Sequence, residues 1–345
     1  MVNGIIADPE VLEEEYIPQN IPCREVQKKE LAFCLSPIEK GMKPLDCLCH
    51  GKPGTGKTAL VKYILQQIQE NTNAFSLYVN CWENKTLNLI LDRLTEQLSI
   101  VIAERDYSVK LSRLKQKIKD SPCVIALDEV DKLDRKDLND ILYMMKEIGK
   151  VGVVCISNTR KYVLELDPRT ISRTRFTSVE FPVYSNEELL TILEHRVVDC
   201  GALFPDSYTV PILEKIADLA AGDARVAIQL ARTAAIIAEE SSKSRISEED
   251  VEKGYEEVKE IREKYYLERL TPHHRLIVDI VKKNPRISSG SFYNAYNSEC
   301  IKVSLNPKSS RTFSNYVKEL LELGHLKFER ARVKGNVRTF RTGIQ

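Results

Sequence analysis

Eight consecutive residues, Gly51-Lys52-Pro53-Gly54-Thr55-Gly56-Lys57-Thr58, fit the spacing G-x-x-x-x-G-K-[ST]. Glycines at these positions let successive backbone N–H groups turn onto phosphate oxygens. The lysine, here Lys57, reaches the β- and γ-phosphates, and the hydroxyl after it, Thr58, binds Mg²⁺. The flanking residues suit such a loop. Residues 45–49, apolar apart from Asp46, read as a buried strand, and 59–69 read as an amphipathic helix. The loop then delivers phosphate to a helix N-terminus, where peptide dipoles favour negative charge. An ordinary glycine turn does not account for this strand–loop–helix context, so the expectation is nucleotide binding.

Further polar residues stand where such chemistry needs them. Residues 123–127 form an apolar run that ends in Asp128-Glu129, seventy residues beyond Thr58. An aspartate at a strand end, here Asp128, can hold the metal beside the phosphate loop. The following glutamate, Glu129, is placed to orient or deprotonate an attacking water. Residues 153–157 are another strand, ending at Asn158. Strand C-termini line the ligand crevice of an open parallel sheet, so Asn158 is expected to face the γ-phosphate, the alternative being a turn-forming asparagine. Arg169, Arg173 and Arg175 cluster just before the last strand. Arg173 could stabilise phosphoryl-transfer charge in a neighbouring subunit or be a solvated surface residue. Arg225 opens the alanine-rich helix 224–238, at the end where a cation is disfavoured. A bound phosphate resolves that conflict and makes Arg225 a nucleotide sensor.

The elements that must position these groups are legible up to about residue 180. Strand-like runs at 45–49, 75–80, 124–127, 151–157 and 178–181 alternate with helical stretches, the pattern of an α/β domain with a mainly parallel sheet. From 186 to about 270 the sequence reads as helical only, with Ser185 and Ser247 as N-caps before acidic first turns. The charged stretch 248–269 reads as a long solvated helix, and Leu270-Thr271-Pro272 breaks it. No apolar run approaches the roughly 18 residues of a membrane span, and residues 1–15 lack the pattern of a signal peptide, so a cytoplasmic protein is expected. Nine scattered cysteines suggest free thiols in a reducing compartment, with Cys47 and Cys49 as buried small residues of a strand.

A net charge of +1 conceals an asymmetry. Residues 271–345 carry 14 Lys and Arg against 5 Asp and Glu, a net of +9, and the rest of the chain carries −8. A basic segment of this kind points to a polyanion. Residues 276–283, 289–298 and 311–323 read as three short helices, followed by strands at 326–332 and 337–342 joined around Lys334-Gly335-Asn336. Helices followed by a basic hairpin describe a winged helix-turn-helix whose third helix enters the major groove. Lys308, Ser309, Ser310, Arg311 and Thr312 open that helix with donors suited to bases and phosphates, and the wing carries Arg330, Arg332, Lys334, Arg338 and Arg341.

With these residues in place, the chain resembles an AAA+ ATPase of the initiator clade. More narrowly, it is similar to the archaeal origin-recognition and replication-initiator proteins, relatives of the largest eukaryotic origin-recognition subunit and its cell-division-cycle partner. Tyr16-Ile17-Pro18 with Arg24-Glu25 matches the family's adenine-side motif. Residues 51–58 and Asp128-Glu129 match its two ATPase motifs, Asn158 its first sensor, and 222–225 its second. The run 80–86 leading into a helix through Ser99 matches the initiator-specific insert, which in the family contacts the duplex and would include Lys85; its Trp82 could equally be a core anchor. The resemblance implies a parallel-sheet AAA+ base over 1–182 with the insert near 81–99, a helical lid over 183–269, and a winged helix over 270–345. It implies ATP or ADP with Mg²⁺ as ligands and slow, switch-like hydrolysis. It also implies double-stranded origin DNA, the replicative helicase and other initiator copies as partners, in a nucleoid-associated cytoplasmic protein. The segment 169–175 is richer in arginine than the family pattern, which leaves the trans-acting arginine open. Rival readings are a clamp-loader-like or transposition-regulating AAA+ ATPase, or an ATP-gated transcription regulator. The basic winged helix argues against a clamp loader, which ends in a helical oligomerisation domain, and no sensor repeat array supports the regulator.

Overall fold

The computed structural model describes residues 4–102, 106–119, 121–322, 325–330 and 338–342. The chain parts into two compact units, Met1–Tyr255 and Glu256–Gln345. In the first unit, helix α1 (Glu25–Leu35) precedes strand β1 (Cys47–His50), helix α2 (Lys57–Asn71), strand β2 (Phe75–Asn80), helices α3 (Leu87–Gln97) and α4 (Tyr107–Ile118), and strand β3 (Cys123–Asp128). Helix α5 (Arg135–Met145), strand β4 (Val151–Ser157), helices α6 (Arg160–Leu164) and α7 (Pro168–Thr174), and strand β5 (Thr177–Glu180) complete the α/β part. The five strands form one sheet in the order β2-β3-β4-β1-β5, and every pairing is parallel. The expected strands are all present, with ends shifted by one or two residues.

Alternation along the strands builds two cores. Ile125, Leu127, Val153 and Cys155 face one side, packed with residues of α3, α4 and α5. Val124, Ala126, Val154 and Ile156 face the other, with α1 and α2. A sheet buried on both faces explains why β3 and β4 read as continuous apolar runs. Both strand ends that carry candidate polar residues therefore emerge at the same carboxyl edge.

Four helices follow in chain order: α8 (Asn186–Glu194), α9 (Val210–Ala220), α10 (Ala224–Glu240) and α11 (Glu248–Arg269), the last containing the division between the two units. Ser185 and Glu188 form a reciprocal capping box at α8. Ser247 stands immediately before α11 as expected of a cap, and its hydroxyl and backbone N–H both donate to the Asp250 carboxylate, at 2.6 and 2.9 Å. The segment is not purely helical. His195–Asp199 is a π-helical turn, and Leu203 forms an antiparallel bridge with Ile6. The N-terminal residues thereby join this helical layer, with Ile5, Val11 and Leu12 buried.

The second unit contains α12 (Pro272–Lys283), β6 (Ile287–Ser288), α13 (Ser289–Lys302), α14 (Ser310–Glu322), β7 (Leu326–Arg330) and β8 (Arg338–Thr342). Its strands pair antiparallel in the order β6-β8-β7, the arrangement of a winged helix. Phe292, Tyr296, Phe313 and Phe340 pack edge-on and tilted against one another within the core between helices and sheet. Two-residue β6 was not foreseen, being too short to show a period of its own. The expected turn at Lys334-Gly335-Asn336 lies outside the described residues.

Candidate functional site

The glycine loop joins β1 to α2, and α2 begins at Lys57 itself. Gly54 and Gly56 adopt φ of +73° and +80°, and a Cβ on Gly54 would run into the Asp223 carboxylate. Only glycine suits both the dihedral and the space. Ala224 N–H donates to the Gly54 carbonyl at 3.0 Å, so the loop is also bonded to the first residue of α10.

Lys57 is buried, and its Nζ donates to the carbonyls of Gly51 and Lys52 at 2.7 Å each and to Asn158 Oδ1 at 3.2 Å. All three acceptors are neutral. Burial, helped by the Arg225 charge and opposed by Asp128 and Asp131, lowers the Lys57 pKa to about 8. Thr58 Oγ1 donates to Asp128 Oδ2 at 2.7 Å. Asp128 also accepts from Tyr78 OH at 2.8 Å, and its Oδ1 accepts from Glu129 N–H at 2.8 Å. Glu129 holds a left-handed backbone with φ 54°, which turns it out of the strand direction. Burial, reinforced by Asp128, raises the Glu129 pKa from its ordinary value. A carboxyl with a raised pKa beside an aspartate at a strand end has the chemistry to accept a proton from water.

These groups border a cavity of about 330 Å³, lined by residues 54–58, Asp128, Glu129 and Tyr78 on the sheet side. Residues 14–18 close it from the N-terminal segment, and Ile192, His195, Arg196, Arg225 and Ile228 close it from the helical layer. Arg196 fixes the N-terminal wall: its Nη1 and Nη2 donate to the carbonyls of Val11 and Tyr16 at 2.6 and 2.9 Å, and it lies 4.8 Å from the Tyr16 ring centroid. Arg225 Nε meets Glu14 Oε1 at 2.9 Å.

The structure thus brings together Tyr16, Ile17, residues 54–58, Asp128, Glu129 and Arg225 around one cavity, with Asn158 joined through Lys57. Gly51, Lys52 and Pro53 do not line it; the first two aim carbonyls at Lys57. Arg24 does not line it either. Its buried guanidinium donates to the carbonyls of Thr55, Cys23 and Pro182 at 3.0, 2.8 and 2.8 Å and lies 3.5 Å from the Tyr184 ring centroid. It braces the loop from behind rather than reaching a ligand. Arg173 is exposed, lies away from the cavity, and rests 4.4 Å from the Tyr143 ring centroid. Sequence reasoning missed Tyr78, Glu14 and Arg196, none of which belongs to a local motif.

The residues present fit a magnesium nucleotide. A buried ammonium whose three acceptors are neutral oxygens carries a charge that an anion would balance, and Thr58 with Asp128 offers two hard oxygen donors, the small protein share that Mg²⁺ takes beside phosphates. Among the described residues no group of three or more His, Cys, Asp or Glu could hold a metal alone.

The candidate nucleic-acid residues lie in the second unit. Lys308, Ser309, Ser310 and Arg311 are exposed at the start of α14. Ser309 Oγ accepts from Thr312 N–H at 3.3 Å and so caps the helix. Both backbone groups of Lys308 are held by α13, its carbonyl accepting from Tyr293 OH at 2.9 Å and its N–H donating to Tyr296 OH at 3.3 Å. Arg341 pairs with Glu329 at 3.1 Å on the neighbouring strand, both side chains remaining partly exposed. Arg332 and Lys334 lie outside the described residues, as do the side chains of Arg330 and Arg338. In the first unit Lys85 is exposed and its Nζ stands 4.8 Å from the ring centroid of half-buried Trp82, with Lys132 Nζ at 5.0 Å. Trp82 is therefore not a fully buried anchor.

Comparison with known proteins follows this geometry closely. Residues 45–159 match the AAA domain model and 190–256 match the Cdc6 AAA+ ATPase-type lid domain. ORC1-type DNA replication protein 9 of Halobacterium salinarum is 32% identical over 335 residues, covering 95% of this chain and 92% of the relative. The chain belongs to the ORC1-type DNA replication protein family. ORC1-type DNA replication protein 1 of Sulfurisphaera tokodaii is also 32% identical, over 93% of this chain and 85% of its own. The Aeropyrum pernix ORC1 protein, solved in complex with DNA, superposes with a TM-score of 0.81 at 27% identity, covering 99% of this chain and 94% of that one. Membership of the ORC1-type proteins makes this chain a replication initiator of the origin-recognition kind, built on a nucleotide-binding AAA fold, and sets aside the clamp-loader, transposition and transcription readings.

Proposed function

We propose that this initiator binds ATP or ADP with Mg²⁺ in the cavity and double-stranded origin DNA through its winged helix, with nucleotide state as the switch. The buried Lys57 ammonium, hydrogen-bonded only to neutral oxygens in the bonds described above, is the observation that carries the nucleotide assignment. Within the loop 51–58, residues 54–58 would cradle the phosphates while Gly51 and Lys52 hold Lys57, with Tyr16 and Ile17 on the base side and Thr58 with Asp128 at the metal. Bound Mg²⁺ supplies charge neutralisation at the phosphates. Glu129 takes a proton from water at its carboxylate, Asn158 and Arg225 report on the γ-phosphate, and Arg173 is the arginine offered to a neighbouring copy. Hydrolysis is slow and serves the switch.

Lys308, Ser309, Ser310, Arg311 and Thr312 contact the major groove; Arg330, Arg332, Lys334, Arg338 and Arg341 contact the backbone or minor groove; Lys85 contributes from the insert. The DNA-bound state of the Aeropyrum relative and the exposed start of α14 support this assignment. The division of labour is a base over 1–182, a lid over 183–269 and a DNA-binding module over 270–345. The replicative helicase and other copies of the initiator are its protein partners. No helix among the described residues is long and apolar enough to cross a membrane, in keeping with a nucleoid-associated cytoplasmic protein.

Binding titrations of the full chain on origin and random duplexes, across several salt concentrations, test the assignment. Affinity should fall steeply with salt, and Arg311→Ala should lose about 1–3 kcal/mol on the origin duplex alone. Unchanged discrimination in Arg311→Ala would place sequence readout elsewhere.

A further inference from the structure

The N-terminal segment is held by one stripe of α10. Arg225, Arg232 and Glu239 recur every seven residues, nearly two whole turns, and so project from one face. Glu239 Oε1 accepts from the N–H groups of Ile5 and Ile6 at 2.6 and 2.9 Å. Arg232 grips both oxygens of Glu13, at 3.0 and 2.7 Å. Arg225 holds Glu14 at 2.9 Å. Only this last pair lies on the cavity, both of its residues lining it with Lys57.

Arg225 and Lys57 border the same cavity, so the two cations act on one region. An anion placed there would satisfy both, and the Glu14 carboxylate is the anion that Arg225 holds. We propose that Glu14 is a specificity-determining residue of the nucleotide site, setting its preference for triphosphate over diphosphate by occupying Arg225 until a γ-phosphate displaces it. This rests on the nucleotide reading of the cavity and on Arg225 as its γ-phosphate sensor. The pair is 48% and 58% exposed, and exposed ion pairs shift an equilibrium by up to about fivefold. A terminal phosphate, with its greater charge and three acceptor oxygens, displaces such a partner readily. A diphosphate lacks the group that reaches Arg225 and leaves the pair closed. The Glu13 and Glu239 anchors keep the segment docked while Glu14 changes partner.

The test is titration of the full chain, with Mg²⁺, against a non-hydrolysable triphosphate analogue and against ADP. Glu14→Gln should raise the triphosphate-to-diphosphate affinity ratio about two- to fivefold. In an Arg225→Ala background the same change should leave the ratio where Arg225→Ala alone puts it. A ratio that stays constant or falls in Glu14→Gln overturns the proposal. So does an equal rise in Glu15→Gln, which removes the same charge from the same wall. Wild-type protein that binds neither nucleotide would instead sink the underlying reading of the cavity, an outcome distinct from a failed ratio.

Discussion

Nucleotide affinity should depend on pH through Lys57. Burial leaves its ammonium with a pKa of about 8 in the free site, whereas phosphates around it would restore the pKa of an ordinary lysine or higher. Binding therefore takes up a proton wherever the free site is deprotonated. The sign follows: affinity is full below the free-state value and declines as pH rises through it. A pKa of about 8 leaves Lys57 about nine-tenths protonated at pH 7 and about one-tenth at pH 9, so the triphosphate Kd should weaken about tenfold, or about 1.4 kcal/mol, over that interval. The phosphate itself, with a second pKa of about 6, contributes little above neutrality. Calorimetry at pH 7, 8 and 9 in buffers of different ionisation enthalpy reads both Kd and proton uptake, expected at about 0.1, 0.5 and 0.9 proton respectively. Lys57→Arg, with a side chain that stays charged, should flatten whatever profile remains. A Kd constant from pH 7 to pH 9 with no proton uptake would refute the reasoning, because it would mean that the ammonium is as solvated in the free site as in water.

Three further substitutions separate neighbouring roles. Glu129→Gln should keep nucleotide affinity while slowing hydrolysis about 10²–10⁴-fold, and in the wild type the rate should fall with acidification as the raised Glu129 carboxyl protonates; phosphate release assays across pH check both. Arg24→Ala should destabilise the fold by on the order of 3 kcal/mol, because it strands the Thr55 and Pro182 carbonyls in a buried setting; a shift in the urea midpoint at constant slope measures it. Tyr293→Phe should cost about 1 kcal/mol or less in stability yet weaken duplex binding severalfold, since it frees the Lys308 carbonyl ahead of α14; equal affinity in fluorescence anisotropy would show that the loop needs no such brace.

The phosphate loop, the five strands and the polar residues at their ends were legible because each depends on a short stretch of sequence: glycine placement, short apolar runs, a run ending in Asp128-Glu129. The basic module was legible from charge and helix spacing. What escaped depends on contacts made far along the chain. Arg196 and Val11 meet across 185 positions, and Tyr78 reaches Asp128 from the neighbouring strand, two residues before Asn80, the ladder partner of Asp128. Arg24 stood beside a recognisable motif, yet its burial against three carbonyls gives it a bracing role that proximity in sequence could not distinguish from ligand contact. Ser247 was legible as a cap from the acids that follow it, but that Asp250, one of them, takes its hydroxyl was not.

The bond from Ala224 N–H to the Gly54 carbonyl offers an internal spectroscopic probe. One proton spans the seam between the glycine loop and α10, so its exchange with solvent deuterium records whether the two are in register. No label need be introduced, and the signal belongs to a residue with no side-chain chemistry of its own. A nucleotide that clamps the loop against α10 would slow that exchange, and one that parts them would hasten it, giving a residue-level readout of the switch while the protein sits on DNA or off it.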